Sequence, residues 1–285
     1  MNFEDNPKSI KYYVKRYLIA HQDQFRGKQV IDFPAGSGVT SRVLKEIGAH
    51  PMPFDLFPEF FEVAGIKCQK ADIREPIPVD GKAADYVICQ EGIEHFSDQL
   101  GAFQEFNRIL KADGSLIITT PNYSNIRSRL SYFLSESERY NKIMPPNELD
   151  SVWFSKEDQS EDFYLGHIFL IGIQKLRVLA RLSGFEIADI QFTRARPTST
   201  ALLPFLYPFI FVSNWINYRR NLRGDKGLMT EERKKIYKEL FQLGVNIKLL
   251  VDGHLFVKFV KKRDTDQVKE ELQGYATRHY SSKRL

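Results

Sequence analysis

The chain has 285 residues, of which 42% are hydrophobic and 27% are charged. This composition is typical of a soluble globular protein and excludes intrinsic disorder, collagen-like repeats and a polytopic membrane protein. The formal net charge of +5 is weaker than a dedicated nucleic-acid-binding protein needs. Cys68 and Cys89 cannot form a disulfide framework, so we expect buried thiols in a reducing compartment. The polar N-terminus carries acidic residues, which predicts no secretory signal and a cytoplasmic location.

Short apolar strands alternate with helical patterns through residues 1–120. A leading helix is predicted within residues 1–28, where apolar side chains recur at helical spacing. Strands are predicted at 29–33, 52–55, 66–69, 85–90 and 115–120, and helices at 40–47, 58–64 and 97–110. Continuous apolar strands separated by helices indicate a parallel sheet that helices cover on both faces.

The second half of the chain has fewer strand patterns. An amphipathic helix at 125–134 carries Arg127 and Arg129, which suit either an anionic substrate or lipid phosphate, or a solvated helix face. The acidic segment 136–162 is predicted to be a loop or lid. Helices are also predicted at 170–182 and 228–243, strands at 185–192 and 254–260, and a charged, frayed tail from residue 261 onward.

The segment from Pro197 to Tyr218 contains no charged residue and is about long enough to span a bilayer. Pro204 and Pro208 interrupt it, and arginines flank both ends, so it lacks the charge asymmetry of an oriented membrane span. Three interpretations stay open for this segment: a membrane span, an interfacial or substrate-facing element, and an insert packed on the core.

A predicted strand ends in Asp32 and is followed by a turn that contains Gly36 and Gly38, and then by a helix. Glycine lets the backbone approach a ligand closely, and the helix N-terminus offers free N–H groups. Asp55 ends the next strand, where an acidic side chain can bind both ribose hydroxyls of an adenosine. The pattern therefore indicates an adenosine-binding edge, with a plain strand-to-helix turn as the alternative.

Several motifs follow one another in this part of the chain. They are D-x-x-x-G-x-G at 32–38, FDL at 54–56, ADI at 71–73, DYVICQEGIEHFSD at 85–98 and EFNRILKADGSLIITTPN at 105–122. From about residue 29 to 192 the chain resembles class I S-adenosylmethionine-dependent methyltransferases. It is most similar to the branch that contains the ubiquinone-biosynthesis O-methyltransferases and other small-molecule methyltransferases.

This resemblance implies an α/β, Rossmann-like, seven-stranded methyltransferase sheet with helices on both faces. The sheet is expected to be mostly parallel, with an antiparallel last strand at 254–260 that pairs with strand 185–192. The implied organisation is an N-terminal helix (1–28), a cofactor-binding core (29–192), an apolar and helical insertion or cap (193–253), the closing strand (254–260) and a charged tail (261–285).

The resemblance also implies roles for single residues. Gly36 and Gly38 would pass under the methionine part of the cofactor, with Asp32 orienting their loop and Asp55 holding the ribose. Pro34 departs from the glycine that the family usually has, and this puts the start of the loop in doubt. The implied cofactor-binding residues are Asp32, Gly36, Ser37, Gly38, Asp55, Leu56, Asp72, Ile73 and Gln90.

A second motif that the chain shares with these methyltransferases is E-x-x-E-H at 91–95. The quinone O-methyltransferases carry it at this place and are described as metal-dependent. It implies His95 and Glu91 as catalytic residues and a divalent ion, such as Mg²⁺, held by Glu91, Glu94, His95 and His167. His95 acting as a general base without metal, and a purely structural role for the set, stay open as alternatives.

The resemblance implies methyl transfer to an oxygen of a hydrophobic or lipid-linked small molecule or glycan precursor. An RNA 2′-O-methyltransferase and a non-catalytic, membrane-associated cofactor-binding module are the alternatives. The expected partners are the acceptor and, through the segment from Pro197 to Tyr218, a membrane surface at the inner face. Nucleic acid is not expected, and the sequence does not predict the oligomeric state.

Overall fold

The computed structural model describes residues 3–137, 147, 152–154, 163–224 and 230–281. The strands are β1 (Gln29–Asp32), β2 (His50–Asp55), β3 (Gln69–Lys70), β4 (Ala84–Gln90), β5 (Leu110–Pro121), β6 (Val152–Phe154), β7 (Phe163–Leu165), β8 (Phe185–Ile190) and β9 (His254–Lys261). The helices are α1 (Ile10–Ala20), α2 (Gln22–Phe25), α3 (Val39–Glu46), α4 (Gln99–Ile109), α5 (Ile126–Ser135), α6 (Ile173–Leu182), α7 (Pro197–Gly224), α8 (Glu231–Val245), α9 (Ile247–Val251) and α10 (Thr265–Ser281).

Seven strands form one sheet in the order β3-β2-β1-β4-β5-β9-β8. The strands from β3 through β5 pair in parallel, whereas β9 runs antiparallel to both β5 and β8. The predicted fold, including the pairing of the two late strands, is therefore confirmed. The strand order reverses between β1 and β4, and ligands of such sheets bind at the carboxyl ends of the strands at this point.

The sheet is buried on both faces because its strands supply apolar side chains alternately to two cores. Ile31 packs with Phe103 and Phe106 of α4 on one face. Val30, its neighbour on β1, packs on the other face with Leu18 of α1. Helices on both faces thus exclude water from the strands and hold their carboxyl ends in place.

Several local predictions differ from the structure. The leading helix is divided at His21 into α1 and α2, and β3 has only two residues, later than the predicted strand. Cys89 is buried as expected, whereas Cys68 is only half-buried. Segment 136–162 lies largely outside the described residues, apart from the backbone of β6, which pairs antiparallel with β7.

The segment after residue 261, predicted to be a frayed tail, instead forms helix α10. Lys261, the last residue of β9, is buried shortly before α10, and its ammonium donates to the carbonyl oxygens of Asn107 (2.8 Å) and Leu110 (3.0 Å). Val268 of α10 is also buried. Two buried anchors therefore hold a segment whose sequence pattern is weak.

The apolar segment forms α7, a 28-residue helix that continues through Pro204 and Pro208. By length and composition α7 could cross a membrane, and only 6% of its most apolar window is buried in the protein. It contacts α8, α5 and α9 along one side. The helix therefore packs on its neighbours with one part of its surface and leaves most of its apolar window exposed.

Asn122 connects the end of β5 to the turn before β9. Its side-chain amide donates to the carbonyl oxygens of Leu249 (2.8 Å) and Asp252 (3.0 Å), all within the protein interior. We expect Asn122→Ala to lower the free energy of unfolding by about 2–4 kcal/mol, because two buried carbonyls lose their donor. Urea denaturation measures this. Asn221→Ala, an exposed control on α7, should change it by less than about 0.5 kcal/mol; equal losses would contradict the assignment.

Candidate active site

A cavity of about 510 Å³ opens at the carboxyl ends of β1, β2 and β4. Its volume lies within the range of about 300–1,000 Å³ that is usual for small-molecule sites. Most of the predicted cofactor residues line it, namely Gly36, Asp55, Leu56, Asp72, Ile73 and Gln90. The catalytic candidates Glu91 and His95 line the same cavity. The predicted cofactor site and the predicted reaction site are thus one continuous space.

The carboxylate of Asp55 shapes this cavity by fixing the glycine turn. Its Oδ2 accepts a hydrogen bond from the backbone N–H of Gly36 (2.7 Å), and its Oδ1 accepts from the N–H of Phe57 (2.9 Å). Gly36 has φ +51°, and a Cβ at this residue would meet no atom within 4 Å. The turn therefore presents bare backbone to open space, as close approach of a ligand requires.

Asp32, Ser37 and Gly38 do not line the cavity. Asp32 was expected to orient the glycine turn, but its carboxylate accepts from Ser41 Oγ on α3 (2.6 Å), and Asp55 makes the bond to the turn. A Cβ on Gly38 would lie 2.5 Å from Val63 Cγ2, so packing of the chain requires glycine at this position. These roles correct the sequence prediction.

Asp72 reaches the cavity wall, but its carboxylate is already engaged. It accepts from the guanidinium Nε of Arg74 (2.9 Å) and from the backbone N–H of the same residue (2.9 Å). These bonds hold the pKa of the Asp72 carboxyl below its usual range. An adenine amino group would therefore share this carboxylate with Arg74.

The sequence analysis did not predict several of the residues that line the cavity. Lys11 of α1 lines the cavity although it lies well before the first motif. Thr40 Oγ1 donates to Gln90 Oε1 (2.7 Å) and so orients the Gln90 amide. Phe57 and Phe60 supply apolar wall. Their proximity to the FDL motif was the available signal for the two phenylalanines, whereas nothing local marked Lys11.

Glu94, His95 and His167 are brought together. Their possible ligand atoms all lie within 4.8 Å of one another. Glu94 is fully buried; its Oε2 accepts from Thr120 Oγ1 (2.9 Å), while its Oε1 has no hydrogen-bond partner among the described residues. Burial raises the pKa of the Glu94 carboxyl well above its usual value. An unsatisfied carboxylate oxygen beside two imidazoles fits a cation.

Glu91 stands apart from this group, which corrects the predicted four-residue set. It adopts the left-handed backbone region (φ +50°), which is strained for a residue with a side chain. Its Oε2 lies 3.8 Å from Nε2 of His254. Burial, followed by the positive charges of Arg196 and Arg194, lowers the pKa of His254 to about 4. A neutral imidazole thus faces Glu91, a contact that the sequence analysis did not predict.

A family model described as a methyltransferase domain matches residues 4–190. The chain belongs to this family. The ubiquinone biosynthesis O-methyltransferase of Xanthomonas campestris pv. campestris (strain B100) is 25% identical over 175 residues, which are 55% of this chain and 71% of the relative. The enzyme of that name from Colwellia psychrerythraea is 29% identical over 150 residues, covering 50% of this chain and 60% of the relative.

Solved structures show the same fold. A crystal structure of an S-adenosylmethionine-dependent methyltransferase from Archaeoglobus fulgidus has a TM-score of 0.52 and covers 91% of this chain and 98% of that one, at 16% identity. Together with the family match, this makes the protein a class I S-adenosylmethionine-dependent methyltransferase. The resemblance inferred from the motifs is confirmed, and the family implies S-adenosylmethionine as the cofactor.

Burial raises the pKa of the Asp32 carboxyl to about 7, so we expect Asp32 to make the stability of the protein depend on pH. Between about pH 4 and 7 the folded protein keeps a proton on Asp32 that the unfolded chain releases. This group therefore lowers stability as pH rises, by up to about 1.4 kcal/mol per pH unit. Asp32→Asn keeps an acceptor for Ser41, so we expect the slope of unfolding free energy against pH to become less negative.

Urea denaturation between pH 4 and 7 measures this slope for the cofactor-free protein. Asp23→Asn, at an exposed position of α2, is the control and should retain the parental slope. An unchanged slope in Asp32→Asn would show that the carboxyl is ionised throughout.

Proposed function

We propose that the enzyme transfers the methyl group of S-adenosylmethionine to a hydroxyl oxygen of a hydrophobic or lipid-linked small molecule or glycan precursor. The supporting observation is the single cavity, which joins the Gly36–Asp55 edge to Glu91 and His95. The similarity to ubiquinone biosynthesis O-methyltransferases supports oxygen as the acceptor atom. Incorporation of labelled methyl into fractionated cell extract, followed by mass spectrometry of the product, tests this proposal.

The cavity residues fit the cofactor. When bound, S-adenosylmethionine supplies a methyl group on a positively charged sulfur. Asp55 keeps lone pairs for ribose hydroxyls beyond its two backbone bonds. The open backbone at Gly36 accommodates close approach, and Lys11 offers a positive charge for the carboxylate of the methionine part. These residues align the reactants, and alignment lowers the barrier by up to about 7–11 kcal/mol in favourable cases.

Removal of the acceptor proton falls to the residues around His95. We propose that Glu94, His95 and His167 hold a divalent cation that makes the acceptor hydroxyl more acidic. The unsatisfied Glu94 oxygen and the short distances within the group support this. Without a cation, His95 is positioned on the cavity wall to take the proton as a general base. The metal-binding experiment below distinguishes the two.

Positive charge lies beside His254, which faces the cavity residue Glu91. Burial and then the charges of Arg196 and Arg194 lower the pKa of His254, and burial and then the charge of Arg127 lower the pKa of Arg196, so these arginines lie near one another and near His254. The backbone N–H of Arg196 donates to the carbonyl of Val251 (2.8 Å), which holds the arginines beside the start of β9. These arginines suit an anionic group, such as the phosphate of a lipid-linked acceptor.

Asp55→Ala is expected to weaken S-adenosylmethionine binding at least about 100-fold, because charge-assisted bonds to ribose and to the glycine turn are both lost. Isothermal titration calorimetry measures the affinity, and thermal unfolding confirms that the variant is folded. Asp98→Ala is the matched control, since this carboxylate caps α4 outside the cavity and should leave the affinity unchanged. Parental affinity in Asp55→Ala would overturn the ribose assignment.

Metal binding is expected to depend on Glu94 and His167. Glu94→Gln and His167→Ala should each weaken Mn²⁺ or Mg²⁺ binding at least about tenfold, as measured by calorimetry on protein treated with a chelator. His50→Ala, at an exposed position of β2, should bind as the parent does. If the parent binds neither ion and methyl transfer survives the chelator, His95 acts as a base without metal.

A further inference from the structure

An apolar surface on one side of the molecule has not been used by the proposed reaction. On α7 its members include Phe205 (72% exposed) and Phe209 (74%), and the end of α5 adds Phe133 (83%). Single exposed apolar side chains are ordinary, but a contiguous group of large ones indicates an interaction site. We call this surface the apolar face; it consists of Tyr132, Phe133, Leu134, Phe205, Phe209, Val212, Trp215 and Ile216.

The α7 part of the apolar face follows the helical repeat. Phe205, Phe209, Val212 and Ile216 are spaced four, three and four residues apart, so they form one stripe along the helix. The opposite side of α7 is already packed on α8. There the ring of Phe241 contacts Phe211 and Tyr218, with centroid distances of 5.8 and 5.3 Å, and a Cβ on Gly244 would meet Asn214 at 2.3 Å.

α5 and α7 are joined at their N-terminal ends. Ser199 Oγ on α7 donates to Asn125 Oδ1, the N-cap of α5 (3.3 Å), and also accepts from the backbone N–H of Arg127 (3.3 Å). Asn125 and Ser199 are both buried. The two helices therefore present their apolar side chains as one fixed unit.

The charges along α7 and beside its start have one sign. Residues 193–224 contain arginines and no acidic residue, and the segment from Pro197 to Tyr218 is uncharged. The guanidinium of Arg219 lies over the ring of Trp215, 5.8 Å from its centroid. Apolar and aromatic side chains bordered by arginine are typical of helices at the headgroup level of a bilayer. The flanking residues are Arg194, Arg196, Arg219, Arg220 and Arg223.

We propose that the apolar face binds the surface of an anionic lipid bilayer, with α7 lying in the plane of the interface. Phosphate headgroups pair with the arginines, and the phenylalanines enter the boundary between headgroups and acyl chains. A second copy of this chain is a poorer occupant, since it would bring arginine clusters of the same sign together.

α7 does not span the bilayer in this arrangement. It runs along α8, whose sequence EERKKIYKELFQLGV has charged residues in its first three turns. A spanning α7 would carry those charges into the hydrocarbon core, which is costly. Binding in the interface plane keeps α8 on the aqueous side and leaves its contact with α7 intact.

Vesicle sedimentation with the purified full-length chain tests the proposal. Vesicles of phosphatidylcholine containing phosphatidylglycerol should bind the protein, and added salt should weaken that binding. The double variant Phe205→Glu/Phe209→Glu should bind these vesicles at least about tenfold more weakly. Two apolar side chains are replaced by carboxylates, which the negatively charged headgroups repel. Leu272→Glu, an exposed apolar position on α10, is the matched control and should bind as the parent does.

A second variant separates charge from apolar contact. Arg219→Gln/Arg223→Gln should weaken the preference for anionic over neutral vesicles while leaving any weak binding to neutral vesicles unchanged. In Trp153→Phe, Trp215 is the single tryptophan, and its emission should shift to the blue on anionic vesicles. Circular dichroism and cofactor calorimetry confirm that each variant remains folded.

Three results would overturn the proposal. One is equal binding of the parent and of Phe205→Glu/Phe209→Glu, or binding of neither. Another is self-association without vesicles that the same substitutions abolish, which would assign the apolar face to a second copy. The last is retention in membranes after alkaline carbonate, which would assign α7 to a span. The assay needs no methyl acceptor, so its outcome is independent of the proposed function.

Discussion

The hydrogen bond from the backbone N–H of Gly36 to Asp55 shapes one edge of the candidate cavity. It joins the turn after β1 to the end of β2, and the second oxygen of the same carboxylate fixes Phe57. Bonds of a carboxylate to N–H groups are stronger than neutral ones, at about 1.5–3 kcal/mol. The open backbone at Gly36 and the cavity edge both depend on this carboxylate.

A second constraint is the burial of several carboxyl groups at the same edge of the sheet. Burial raises the pKa of Asp32, Glu91 and Glu94, and the positive charge of Lys11 opposes this for the first two. Lys11 arrives on α1, from outside the central motifs. Among the described residues, no cation lowers the pKa of Glu94 in this way. A bound ion would therefore stabilise this carboxylate more than the other two.

Two regions of the molecule differ in how they use apolar side chains. The sheet and its helices bury the cofactor edge, whereas α7 keeps large apolar side chains on the surface. Ser199 and Asn125 connect the two, since Asn125 caps α5 directly after the end of β5. The surface proposed to bind lipid would therefore begin beside Arg194 and Arg196, which lie near His254.

The sequence by itself determined the sheet, the glycine turn and the acid at the end of β2. These follow from local periodicity and from short motifs whose spacing matches one strand or one helix. It also indicated the Glu94–His95 pair, because those residues are neighbours in the chain. The resemblance also placed His167 with Glu94 and His95, as the structure does. The sequence did not predict that Asp55, and not Asp32, holds the turn, or that Glu91 stands apart from the group and faces His254.

Only the tertiary structure decided those contacts, because they join residues that are distant in the chain through the strand order β1-β4-β5-β9 and the direction of each side chain. The same holds for Lys11 at the cavity and for the burial of Lys261 that anchors α10. Hydropathy likewise identified α7 as apolar, yet which side of it stays exposed depends on α8, which follows it in the chain and packs against it. Hydrophobic periodicity is a local property of the sequence, whereas contacts between distant residues depend on how the rest of the chain folds.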